Sequence, residues 1–203
     1  KWGWSVPLQR ILARWARVNI VDQVRFKNLM ESWGAKALVL ENPPKNIDFK
    51  TLSGDASAEF GITLVSVFAA DEPVDVVVEA ARQLPHVKFY ITGSKDRAKR
   101  SLLESAPPNV IFTDYLHGDD YWNRLYASRA VMTLTTHAYS LVAGAQDGVS
   151  VQKPLILSDQ PTLTAHFTKG TVFVENTVES IVSGVQKLEA TEQQLIQEVI
   201  ELG

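Results

Sequence analysis

The sequence contains no cysteine, which excludes disulfide staples, thiolate metal sites and a cysteine nucleophile. That absence fits a reducing compartment, and a cytoplasmic setting is the expectation. No apolar run approaches the ~18 residues that cross a bilayer as a helix. The four histidines stand far apart, at His86, His117, His137 and His166, without the His-Glu-x-x-His spacing of a metal centre. No metal is expected. Gly-x-Gly-x-x-Gly, the dinucleotide-cradling turn, is missing where the chain reads Phe68-Ala-Ala-Asp-Glu-Pro73 after an apolar run, so no nicotinamide or flavin cofactor is expected. A P-loop and a Gly-x-Ser-x-Gly elbow are missing too, which argues against P-loop enzymes and serine hydrolases. Positive charge is not in excess. Twenty Lys and Arg against 23 Asp and Glu leave a net charge of -3, which argues against nucleic acid as the main partner. The chain opens on Lys1 and its only methionines are Met30 and Met132; it reads as a piece of a longer protein.

What is present is an ordinary globular composition of 45 % hydrophobic and 21 % charged residues over 203 positions, enough for one well-cored domain and part of another. Charge is unevenly spread. Residues 1–50 hold nine Lys and Arg against four Asp and Glu, whereas residues 51–203 hold eleven against nineteen. Two segments with different neighbours are implied. Leu8, Ile11, Leu12 and Trp15 predict a helix over about 7–17, with Arg10, Arg14 and Arg17 on a second stripe. A short strand at 18–21, a helix at 22–33 capped by Asp22 and ended by Gly34, and a strand at 37–40 follow. Asn42-Pro43-Pro44 then forbids helix and ladder alike. Residues 1–45 are read as the end of a first domain, 46–61 as a linker, 62–189 as the main domain and 190–203 as a closing helix.

From residue 62 the pattern is regular. Short apolar runs rich in β-branched and aromatic residues occur at 62–68, 87–91, 110–112, 131–134, 155–157 and 172–174. Helical patterns lie between them, starting near Pro73, Lys95, Asp119, Gly144, Thr162 and Asn176, the last behind an Asn176/Glu179 capping box. Strands alternating with single helices predict a doubly wound α/β domain: a parallel, Rossmann-like sheet covered on both faces. Ligands bind such sheets at the carboxyl ends of the strands, where strand order reverses. The loops to inspect are 69–73, 92–95, 113–118, 135–145 and 158–162.

Residues 131–159 are the most specific stretch: Val131-Met-Thr-Leu-Thr-Thr-His-Ala-Tyr-Ser-Leu-Val-Ala-Gly-Ala-Gln-Asp-Gly-Val-Ser-Val-Gln-Lys-Pro-Leu-Ile-Leu-Ser-Asp159. Its order of strand, loop, small-residue helix start, acidic residue and Lys-Pro strand ending in Ser-Asp resembles the donor-binding, C-terminal half of GT-B glycosyltransferases of the family-4 (group 1) kind. Asn42-Pro43-Pro44 stands where the first domain of that family ends, Asp71-Glu72-Pro73 opens the second, and Asn109-Val-Ile-Phe-Thr113 matches a further strand. The resemblance covers about residues 18–189. It implies transfer of a sugar from a nucleotide diphosphate sugar to a glycan or lipid-linked acceptor, with no metal and no cofactor besides the donor. A same-fold sugar-nucleotide epimerase lacks supporting motifs.

The resemblance also implies roles for particular residues. Gly144 and Ala145 open a helix whose amides and dipole can face a phosphate; for Gly144 a plain tight turn is the alternative. Asp147, one turn further, falls on the acidic position that accepts hydrogen bonds from ribose hydroxyls, or it merely complements the helix dipole. Tyr115 either stacks on the nucleotide base or packs against the helix of Tyr121 and Trp122, and Gly93 belongs to the same donor-binding set. His137 lies in the loop near the transferred sugar and is the candidate catalytic residue. Trp2, Trp4 and Trp15 with the arginines of residues 1–17 suit either a peripheral contact with the inner face of the membrane or packing on a first-domain core. Several positions depart from the family pattern. Tyr139 stands eight before Asp147, where relatives carry an acidic residue. Val67 and Glu72 occupy positions where many carry Arg and Lys, and Ala143 one where a subgroup has Arg. Lys95, Arg97 and Lys99 could compensate. Otherwise the domain is a catalytically degenerate binding or partner module.

Overall fold

In the computed structural model, which describes residues 5–40, 43–54 and 60–202, the apolar runs from residue 61 onward become the strands of one parallel sheet. Trp2, Trp4, Asn42 and the polar run from Asp55 lie outside the described residues. The chain divides into two compact units, 1–43 and 44–203.

The first unit holds α1 (Ser5–Trp15), β1 (Asn19–Val21), α2 (Val24–Ser32) and β2 (Ala37–Val39). β1 and β2 pair in parallel, Ile20 opposite Leu38, as the βαβ crossover requires. Asp22 does not cap α2. The N-cap residue is Gln23, whose side chain does not cap the helix, while Gly34 ends the helix at φ 77°. Leu8, Ile11, Leu12 and Trp15 form the expected apolar stripe of α1 and are exposed. Among the described residues no helix is long and apolar enough to cross a membrane.

The second unit is built from β3 (Gly61–Leu64), α3 (Val74–Arg82), β4 (Lys88–Thr92), α4 (Arg100–Ser105), β5 (Val110–Asp114), α5 (Gly118–Tyr126), β6 (Ala130–Thr133), α6 (Ala143–Ser150), β7 (Leu155–Ser158), α7 (Pro161–His166), β8 (Thr171–Val174) and α8 (Val178–Ile200). Strand order is β5-β4-β3-β6-β7-β8, every neighbouring pair parallel. The two faces are read off by alternation along a strand. Ala130 and Met132 pack with Val77 and Val78 of α3 and Ile181 and Val185 of α8, whereas Val131 packs with Ala145 and Val149 of α6 and Leu163 of α7. Each of the Val, Leu, Ile and Met side chains among them contributes about 1.5–3 kcal/mol by leaving water. Asn109, 5 % exposed, directs its side-chain amide at the carbonyls of Ala81, Leu84 and Val87, which ties the end of α3 to the start of β5.

Three local expectations are corrected. The first strand stops at Leu64 rather than Phe68, because the amides of residues 66–69 donate to side chains instead of a neighbouring strand's carbonyls: Ser66 to Thr92, Phe68 to Ser66, and Val67 and Ala69 to Glu72. A 3-10 turn at Lys95–Arg97 precedes α4, which begins only at Arg100. Thr177, not Asn176, caps α8 by accepting from the Ser180 amide; Asn176 is diverted to the Ser158 hydroxyl and the Thr135 carbonyl. α8 itself loses helical dihedrals at Thr191, φ -126° and ψ 15°.

Candidate functional site

Strand order reverses between β3 and β6, so the loops leaving these two strands diverge to opposite faces and leave a crevice. The loop after β3 folds back on itself, with Phe68 at φ 56°. Glu72 fills the resulting cradle. One of its carboxylate oxygens accepts from the Ser66 hydroxyl at 2.7 Å and from the amides of Val67 and Ala69 at 3.0 Å each. Two amides and a hydroxyl that could have faced a phosphate are thereby committed to the chain's own carboxylate. Asp71 braces the crevice sideways, accepting from Thr135 Oγ1 at 2.7 Å.

Beside this loop opens a cavity of about 460 Å³ at the carboxyl ends of β3, β4 and β5, walled by the start of α5 and by α6. Its wall carries Gly93, Tyr115, Tyr121, Trp122, Gly144 and Asp147, together with Lys45. Asp147 is held from two sides. Tyr121 donates its hydroxyl to Oδ2 at 2.8 Å, and the Lys45 ammonium reaches Oδ1 at 3.2 Å. Burial, and then the Asp147 carboxylate, push the Tyr121 phenol far above its ordinary value, so it stays protonated and donating. Lys45 is 58 % exposed against 14 % for Asp147, and its ammonium stands 4.8 Å from the centre of the Trp122 ring. Its backbone amide donates to Ser150 Oγ at 2.7 Å, which fixes where this side chain starts. An ionised carboxylate has about four acceptor sites. Two bonds to Asp147 therefore leave room for a further donor.

Four of the six residues singled out from the sequence share this wall: Gly93, Tyr115, Gly144 and Asp147. Gly93 has φ 106°, and a side chain there would collide with the Ser66 carbonyl at 2.6 Å. Gly144 is needed for close packing rather than for a turn, since a Cβ would stand 2.7 Å from Val65 Cβ. Tyr115 is exposed and meets the His117 ring edge-on at 4.5 Å, while Tyr121 pairs with Trp122; a base could lie against its free flank. Ala145 does not face the cavity. It is fully buried and its amide donates to the Val142 carbonyl at 3.1 Å, so this amide is not open to a phosphate. His137 also lies away from the wall, 70 % exposed, its Nε2 3.9 Å from Asp71 Oδ2. Of the three compensating cations, Arg97 and Lys99 line a separate cavity of about 510 Å³ with Phe68, Glu72 and Leu102, and the Lys95 backbone amide donates to Asp114. Among the described residues no group of His, Asp and Glu is placed to hold a metal ion. Lys45 was missed from the sequence: it is 102 residues from its partner Asp147, and no local pattern marks it.

No family model and no curated protein matches this sequence. Solved structures do. TarM is similar at a TM-score of 0.77 and 15 % identity, over 98 % of this chain and 42 % of that one. HepE from Anabaena, in complex with UDP and glucose, gives a TM-score of 0.79 at 12 % identity, over 97 % of this chain and 61 % of that one. Sucrose-phosphate synthase from Thermosynechococcus elongatus gives 0.74 at 14 % identity, over 97 % and 56 %. These likenesses show the fold, that of the GT-B glycosyltransferases with a Rossmann-like sheet. The chain spans about half the length of these structures.

Proposed function

We propose that residues 44–203 bind a nucleotide diphosphate sugar in the 460 Å³ cavity, as the donor half of a glycosyltransferase that moves the sugar to a glycan or lipid-linked hydroxyl. The observation that carries this reading is Asp147, a carboxylate set into the cavity wall by Tyr121 and Lys45 with acceptor capacity left over. Ribose hydroxyls are donors of the right kind and reach. HepE, a structure of this fold, is described in complex with UDP-glucose, UDP and glucose, which supports a uridine nucleotide as the first probe. Tyr115 offers its ring to the base, while Gly93 and Gly144 let the cavity wall pack closely on Ser66 and Val65. His137, outside the wall, is left to the sugar end of the donor.

Isothermal calorimetry with UDP and with uridine tests this. Asp147→Asn is expected to weaken both by about 1.5–3 kcal/mol, the worth of a hydrogen bond to a charged group, because the ribose is common to them. Unchanged affinity would remove Asp147 from the site. A second reading, a degenerate module that binds a partner without transferring sugar, is favoured by Glu72, whose carboxylate occupies the amides of Val67 and Ala69. It predicts no heat with any nucleoside diphosphate.

A further inference from the structure

A diphosphate brings negative charge into a domain whose residues 51–203 already hold nineteen acidic against eleven basic groups. Something in the cavity must offset it. The loop after β3 cannot, because Glu72 places a carboxylate on its donors and Val67 supplies no charge. Arg97 and Lys99 line the other cavity. Among the described residues of the 460 Å³ wall, one Lys or Arg is present, and it comes from the segment that follows Pro44.

We propose that Lys45 is the phosphate partner of this site, the cation that stands in for those missing after β3. The proposal rests on the nucleotide reading above and adds the residue that would select a charged donor over a bare nucleoside. Three features suit Lys45 to the part. Its backbone is anchored by the Ser150 hydroxyl at 2.7 Å, and its ammonium is aligned by Asp147 and the Trp122 face, so the charge is already directed to the cavity. An ammonium has three donors and Asp147 occupies one. At 58 % exposure the remaining donors face solvent, which a phosphate oxygen can replace. Asp147 then serves both ends of the ligand, accepting from ribose and holding the cation that meets the phosphates.

The test compares UDP with uridine on the wild-type chain, Lys45→Ala and Lys45→Arg, at two ionic strengths, with thermal midpoints recorded to verify folding. Lys45→Ala should weaken UDP about tenfold, the low end for a hydrogen bond to a charged group, and uridine less than twofold. Lys45→Arg should restore most of the UDP affinity. Added salt should weaken UDP binding to the wild type more than to Lys45→Ala, since a partly exposed ion pair is screened. Equal UDP affinity in wild type and Lys45→Ala overturns the proposal and leaves the nucleotide reading standing. Equal losses for UDP and uridine also overturn it, because Lys45 would then act only by shaping Asp147. If the wild type binds UDP, ADP and GDP no better than buffer, both the proposal and the nucleotide reading fall.

Discussion

Asp147, on the wall of a largely apolar cavity, accepts from two donors of different kinds. The Tyr121 hydroxyl is buried and cannot ionise in the working range, whereas the Lys45 ammonium is half in solvent. The first fixes geometry and the second supplies charge. Asp114 plays a comparable part at the end of β5, where φ is 67°. Its Oδ1 accepts from the amides of Tyr115 at 2.9 Å and Lys95 at 3.2 Å, and these bonds hold its carboxyl below the ordinary range. A group whose folded pKa is lowered adds stability above the unfolded pKa and loses it as pH falls through the folded value. Asp114→Asn should therefore melt earlier than wild type at neutral pH, with the gap closing on acidification through the carboxylate range. A gap independent of pH in scanning calorimetry would contradict this. At this scale the sequence placed Asp147 one turn into a helix and Gly93 after a strand, and the family resemblance singled them out. It could not reveal Lys45 or the bonds of Glu72. Lys45 meets Asp147 only through tertiary folding, and the sequence shows Glu72 as a missing cation without showing which amides it holds.

At the scale of elements, α6 is placed by the side chains that two of its positions lack. With no side chain at Gly144 or Gly148 the helix lies directly on Val65, Val131 and Leu155, which brings Asp147 down to the rim of the crevice. Gly144→Ala should destabilise the domain by about 1–3 kcal/mol through overpacking, exceeding the gain of about 0.5–1 kcal/mol from helix propensity. Urea unfolding followed by circular dichroism checks this, and a midpoint equal to or above wild type would show that the helix can lift away at no cost. The strands themselves were legible because burial on both faces demands short, continuous apolar runs, and all six runs lie in the sheet. Their ends were less so. Val65-Ser66-Val67-Phe68 is as apolar as a strand should be, yet after Val65 its amides turn to side chains, Ser66 to Thr92 Oγ1, Val67 to Glu72 and Phe68 to Ser66 Oγ. Likewise the start of α8 shifts by one residue because Asn176 has a tertiary partner in Ser158. Periodicity reports burial; it does not report which acceptor a particular amide finds.

At the scale of the whole molecule, the chain carries a GT-B Rossmann-like domain in residues 44–203 and a separate βαβ unit in 1–43, and spans about half the length of similar solved structures. The boundary between the units falls between Pro43 and Pro44, within the Pro-Pro pair that interrupts hydrogen bonding. Two cavities of similar size open at the carboxyl edge of the sheet, and only one joins Asp147, Tyr115 and Lys45. The central claim is that this one receives the nucleotide. Amide chemical shifts of the isotopically labelled chain during a UDP titration test it most directly. Saturable shifts at Gly93, Tyr115, Gly144 and Asp147, with Arg97, Lys99 and Leu102 unmoved, are the predicted result. Shifts confined to Arg97, Lys99 and Leu102, or none at millimolar UDP, would contradict it.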